Sequence, residues 1–156
     1  MTTAKQLAAY AESLCGDGGG RYRARFGLPG NSPWSAAFAS YCLSKFPETS
    51  GIVDSPKCSD FTKMSTSSDI DWIPGPQYGS STRPKEGDIA LINWSSKQDG
   101  KVNKISIVRR YNREDNTIDV VMGDSGSDCG SSTVAMRTYN ADLSCIKGYM
   151  RIKSLN

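Results

Sequence analysis

Histidine is absent from all 156 residues. That removes the one side chain that titrates near neutrality unaided, and with it the commonest general base and metal ligand. The five cysteines, at 15, 42, 58, 129 and 145, never stand in C-x-x-C spacing, so no zinc site is expected. No other metal and no organic cofactor is implied. Nor does any apolar run approach the roughly 20 residues that cross a bilayer, so no membrane span is expected. Behind Met1-Thr2-Thr3-Ala4-Lys5 there is no apolar core of a signal peptide, and export by the ordinary secretory route is not expected. Charge of one sign is scarce too: 19 Lys and Arg face 16 Asp and Glu. With no basic stripe and no recognisable module, no nucleic-acid partner is expected.

What is present describes an ordinary globular chain. Apolar residues make up 37 % and charged residues 22 %, enough to bury a core and too apolar for disorder. One domain over residues 1–156 is expected, with no internal repeat and no boundary. The odd cysteine count leaves at least one thiol free. Cys42 reads as a small buried hydrophobe, and a bridge among the other four stays open.

The chain divides into a helical half and a strand half. Thr2 to Leu14 predicts a helix capped by Thr2 or Thr3, with Leu7, Ala8, Ala11 and Leu14 on one face. A glycine-rich turn ends it, without the Gly-Lys-Ser/Thr ending of a phosphate loop. Arg21 to Gly27 reads as a connecting loop. Ser32 and Pro33 then read as N-cap and first helical residue of a largely buried helix, with Trp34, Phe38, Tyr41, Cys42 and Phe46 at helical spacing. Pro47 ends it. Residues 48–85 read as long and turn-rich, with one short helix from about Lys57 to Met64. Strands are predicted from Gly87 to Trp94 and at about 104–111, 117–122, 133–139 and 146–151. Helices first and antiparallel strands after them indicate an α+β domain, the sheet packed on the helices.

Five stretches carry a family resemblance. Pro33-Trp34-Ser35-Ala36-Ala37-Phe38-Ala39-Ser40-Tyr41-Cys42-Leu43 resembles the nucleophile segment of the CHAP and NlpC/P60 cysteine amidases, roughly Pro-Trp-Cys-Ala-Ala-Phe-x-Ser-Trp-Cys-Leu. Pro84-Lys85-Glu86-Gly87-Asp88-Ile89 resembles the start of the family's first core strand. Asp99-Gly100-Lys101-Val102-Asn103-Lys104-Ile105-Ser106-Ile107-Val108 resembles its Asp-Gly-x-x-x-His-x-Gly-Ile-Val strand. Met122-Gly123-Asp124-Ser125-Gly126 is similar to a Glu-Gly-Asn-Ser-Gly segment, and Lys147-Gly148-Tyr149 to the closing Gly-Tyr-Gly. The resemblance implies a papain-like fold with N-terminal helices packed on an antiparallel sheet. It implies a catalytic position at Ser35 (the family cysteine), one at Lys104 (the family histidine) and an orienting position at Asp124. The ligand class it implies is bacterial peptidoglycan stem peptide, with Trp34, Tyr78 or Trp94 lining the groove. Family members act as phage lysins, tail-associated hydrolases or autolysins. A phage-encoded or virion-associated protein, or a cytoplasmic one until its release to the wall, is the localisation this implies.

The chemistry of the two replacements decides what survives. A helix N-terminus stabilises a nearby negative charge by about 1 kcal/mol, far too little to ionise a serine hydroxyl at neutral pH. Ser35 therefore needs a dedicated base, and Lys104 serves only if desolvation lowers its pKa by several units. The leading expectation is a pseudoenzyme whose groove binds stem peptide or a protein partner. The alternatives are a hydrolase using a Ser35–Lys104 pair, an active cysteine hydrolase silenced by replacement, and a structural part of a virion or secretion assembly.

Overall fold

The computed structural model describes residues 1–76, 79, 82–94, 101–126 and 132–155. Four helices come first: α1 (Ala4–Ser13), α2 (Gly20–Arg25), α3 (Ser35–Ser44) and α4 (Cys58–Lys63), the last running into a 3-10 turn at Met64–Thr66. Six strands come after them: β1 (Ile70–Pro74), β2 (Ile89–Ile92), β3 (Lys104–Asn112), β4 (Thr117–Met122), β5 (Ala135–Asn140) and β6 (Ile146–Ile152). They form one sheet in the order β1-β6-β2-β3-β4-β5, with every pairing antiparallel. The class is α+β. Among the described residues no helix is long and apolar enough to cross a membrane.

Local chemistry accounts for most elements. The Thr3 hydroxyl accepts from the Gln6 N–H while the Gln6 side chain accepts from the Thr3 N–H, a reciprocal cap that starts α1. Leu7, Ala8 and Ala11 then face the core. In α3 every residue from Ser35 to Ser40 is buried, so this helix lies inside the molecule rather than on it.

Three sequence expectations are corrected. Ser32 and Pro33 do not begin α3: Ser35 is its first residue and Trp34 its cap position. The Trp34 N–H donates to the Asp124 carboxylate, which supplies from across the fold the acceptor a local serine would have given. Arg21 to Gly27 is not a loop throughout, because Gly20–Arg25 is α2. Its Tyr22 is fully buried against Trp34, Phe38 and Tyr41, and that packing rather than local propensity forms the helix. The turn-rich stretch 48–85 contains β1, an edge strand on β6 whose last residue is Pro74, where a missing N–H is tolerated.

Both faces of the sheet are buried. Ile89, Leu91, Ile105, Ile107, Val121 and Met150 face the helices together with Leu7, Phe38 and Leu43. Ala90, Val108, Ile118, Val120 and Tyr149 form a second cluster on the opposite face, with Tyr111 and Tyr139 packed against it. The register of β3 and β4 sets two of the candidate site residues side by side. Ser106 pairs with Met122, so continuing the ladder brings Lys104, at the start of β3, opposite Asp124, just past the end of β4. Gly123 lets that strand end press on α3, since a Cβ there would fall 2.4 Å from the Phe38 Cβ.

Candidate functional site

Ser35, Lys104 and Asp124 meet where the first turn of α3 abuts the edge formed by the start of β3 and the end of β4. All three lie in or near the interior: Ser35 is 2 % exposed, Asp124 is fully buried, and only 16 % of the Lys104 side chain reaches solvent. The structure brings these three positions together.

Their hydrogen bonds are specific. Ser35 Oγ accepts from the backbone N–H of Ile105 at 3.1 Å, which pins the helix start to β3. Lys104 Nζ donates to the backbone carbonyl of Asp124 at 2.5 Å and stands 3.6 Å from its Oδ2. The Asp124 carboxylate also accepts from the Trp34 N–H at 3.3 Å and from the Ser132 hydroxyl at 2.8 Å. Asp124 holds a left-handed backbone (φ 57), a conformation Asp tolerates better than most residues. It therefore works as cap, counter-ion and corner at once. Lys104 is directed at Asp124, and no hydrogen bond joins it to Ser35.

A fourth side chain belongs here. Cys58, the first residue of α4, lies near enough to Ser35 and Lys104 for both to act on its thiol. Burial pushes the Cys58 thiol up from its ordinary pKa, and the Ser35 hydroxyl and the Lys104 ammonium pull back less strongly. The segment before it is held in place by α3: Ser40 Oγ donates to the Ser55 carbonyl at 2.8 Å and accepts from the Ser55 N–H at 2.9 Å. Ser55 Oγ then donates to Asp60 at 2.6 Å. No motif announced Cys58. Its only sequence signal is a cysteine one residue into a predicted short helix.

The aromatic candidates fare differently. Trp34 is not groove surface: it is fully buried and stacks on Tyr22, ring centroids 5.4 Å apart and planes within 4°. Trp94 is 49 % exposed, but its ring lies 5.0 Å from that of Tyr139, which packs on the sheet face turned away from the helices. The structure does not bring it to Ser35. Tyr78 lies outside the described residues, as does Cys129. Cys15, Cys42, Cys58 and Cys145 are free thiols, and Cys42 is the buried hydrophobe its position implies.

Among the described residues no group of three or more Cys, Asp or Glu side chains could hold a metal ion. Chemically, the site offers a hydroxyl whose oxygen already accepts one hydrogen bond, a cation bound to its own carboxylate corner, and a largely protonated thiol. Comparison of the chain with family models, with curated proteins and with solved structures gives no match.

Proposed function

We propose that this chain is a papain-like domain of the CHAP or NlpC/P60 kind whose hydrolytic centre is silent. Its remaining role is to bind bacterial peptidoglycan stem peptide, or a protein partner, beside the former active site. Five motif resemblances in family order support the kinship, and the α+β order of elements is compatible with it. The observation that carries the silent reading is the wiring of Lys104. Its ammonium is bound to Asp124 rather than to Ser35. A general base must reach the proton it removes, at about 2.6–3.2 Å or through one water. Ser35 Oγ accepts from the Ile105 N–H, which is a donor and no base, and burial keeps the thiol of nearby Cys58 protonated.

The test is turbidity loss and muropeptide release from purified cell walls. The chain is compared with a Ser35→Cys, Lys104→His form carrying Cys58→Ala, which keeps the new thiol from meeting a second one. The expected result is that the unaltered chain sediments with the walls without cutting them and that only the altered form cuts. Cutting by the unaltered chain, abolished by Ser35→Ala or Lys104→Met, overturns the silent reading in favour of a serine–lysine hydrolase. Failure of both forms to bind or cut removes peptidoglycan as the ligand class.

A further inference from the structure

The end of the sheet opposite Ser35 carries a concavity. From Lys104 to Asn112, β3 runs roughly 25 Å away from the Ser35 site. There Arg83, Tyr111, Arg113 and Asn116 line a cavity of about 660 Å³, within the size range of small-molecule sites.

Its walls come from two segments, the loop at Arg83 and the β3–β4 hairpin, tied together through Asp142. Arg83 Nη1 lies 3.3 Å from Asp142 Oδ1, and Asn116 Nδ2 donates to Asp142 Oδ2 at 2.7 Å. Tyr111 donates its hydroxyl proton to Asn116 Oδ1 at 2.8 Å. Asn116 itself is left-handed (φ 52) and closes the β3–β4 hairpin, and its carbonyl accepts from the Ala141 N–H at 2.8 Å. The loop carrying Arg83 is fixed from below. Arg151 donates to both oxygens of the buried Asp88 carboxylate, at 2.9 and 2.8 Å, and to the Arg83 carbonyl at 2.9 Å. Arg83, Tyr111 and Asn116 are thus held before any ligand arrives, which lowers the ordering cost of binding.

The donors left over point to the ligand. Among the described residues that line it none is acidic, and the Asp142 carboxylate beside them is taken up by Arg83 and Asn116. Arg83 uses one edge of its guanidinium on Asp142, and Arg113 is exposed with no ion pair among the described residues. Behind them Tyr149 is 2 % exposed, and its hydroxyl has no hydrogen-bond partner among the described residues. Tyr149 and Tyr111 pack in the same cluster on this face, and the charges of Arg83 and Asp142 reach the Tyr149 phenol. Two guanidinium groups thus line the cavity. That suits a tetrahedral dianion better than a planar monoanionic carboxylate.

We propose that this cavity is a second ligand site, which holds the phosphate group of a small phosphomonoester between Arg83 and Arg113. It uses no residue of the Ser35 site and stands independently of the peptidoglycan-binding role.

The experiment is an amide-resolved NMR titration of the full chain at fixed ionic strength with phenyl phosphate, inorganic phosphate and benzoate. Saturable shifts at Tyr111, Asn116 and Tyr149 with phenyl phosphate, and much weaker binding of benzoate, are expected. Arg113→Gln, an exposed position whose loss leaves the fold intact, weakens phenyl phosphate binding about tenfold, as does Arg83→Gln. Melting temperature checks the fold of both variants. No saturable shift below about 10 mM, or undiminished binding by Arg113→Gln, overturns the site. Equal binding of benzoate and phenyl phosphate overturns the phosphate assignment. Inorganic phosphate binding as well as phenyl phosphate shows that the phosphate group carries the recognition; its failure to bind while phenyl phosphate does overturns that claim.

Discussion

The Ile105 N–H donates to Ser35 Oγ at 3.1 Å, joining residues 70 positions apart in the chain. The donor is a strand amide at the inner edge of the sheet, and the acceptor is the first residue of a buried helix. A hydroxyl used in this way is structural before it is anything else. Ser35→Ala leaves the Ile105 N–H buried without its acceptor, at a cost of about 1–3 kcal/mol. Urea denaturation measures this as a lowered midpoint with an unchanged slope. A midpoint equal to that of the unaltered chain would mean that water satisfies the amide and that the bond matters little.

Asp124 has more to lose. Its carboxylate caps α3 through the Trp34 N–H, faces Lys104 and accepts from Ser132. Asp124→Ala leaves a largely buried ammonium without its counter-ion and a helix start without its acceptor, so a loss of about 3–5 kcal/mol is expected. Asp124→Asn keeps an acceptor oxygen for Trp34 and tolerates the left-handed backbone, and it is expected to cost less than Asp124→Ala. Thermal unfolding of the two variants side by side decides this. The reverse order would place the weight on charge alone.

How far the sequence is legible depends on the range of the interactions. Lys104 and Asp124 can be placed together because each sits in a short motif at the end of a strand with β-branched neighbours, and the antiparallel ladder does the rest. The start of α3 is misread from local signals because its cap is Asp124, 90 residues away, and not Ser32. Trp34 resembles a groove residue only while α2 is read as a loop; with Tyr22 helical and buried, Trp34 has a ring to stack on. Strand β1 is hidden by its brevity and by Pro74, and it exists through pairing with β6. Cys58 is invisible for a similar reason. The Ser40–Ser55 and Ser55–Asp60 bonds that bring it to Ser35 have no local signature.

Gly123 should tolerate no side chain. A Cβ there would fall 2.4 Å from the Phe38 Cβ in α3 and 2.9 Å from the ring of Trp34 at its cap, both fully buried. Gly123→Ala therefore forces α3 and the end of β4 apart, at about 1–3 kcal/mol or more. Calorimetry is expected to find a lowered melting temperature. The amide signals of Ser35 and Asp124 should shift together, because the same displacement moves both. A variant as stable as the unaltered chain would show that the contact can open without cost.

The Cys58 thiol supplies a pH-dependent readout of the site. Burial raises its pKa, while Ser35 and Lys104 lower it in part. Because the folded value lies above the unfolded one, the thiol contributes stability that is fully present below the ordinary thiol pKa. That stability fades as pH rises through the raised folded value. Two outcomes are expected from iodoacetamide labelling followed by peptide mapping. At neutral pH Cys58 reacts more slowly than a free cysteine, and its rate climbs steeply at alkaline pH as the thiolate forms. Lys104→Met removes the cation that favours the thiolate, so at a fixed alkaline pH it slows labelling further. Faster labelling in that variant would mean that Lys104 shields the thiol sterically and does not act on it through charge. The slower rate, in contrast, ties Cys58, Ser35 and Lys104 into one electrostatic unit, with Asp124 as its anchor.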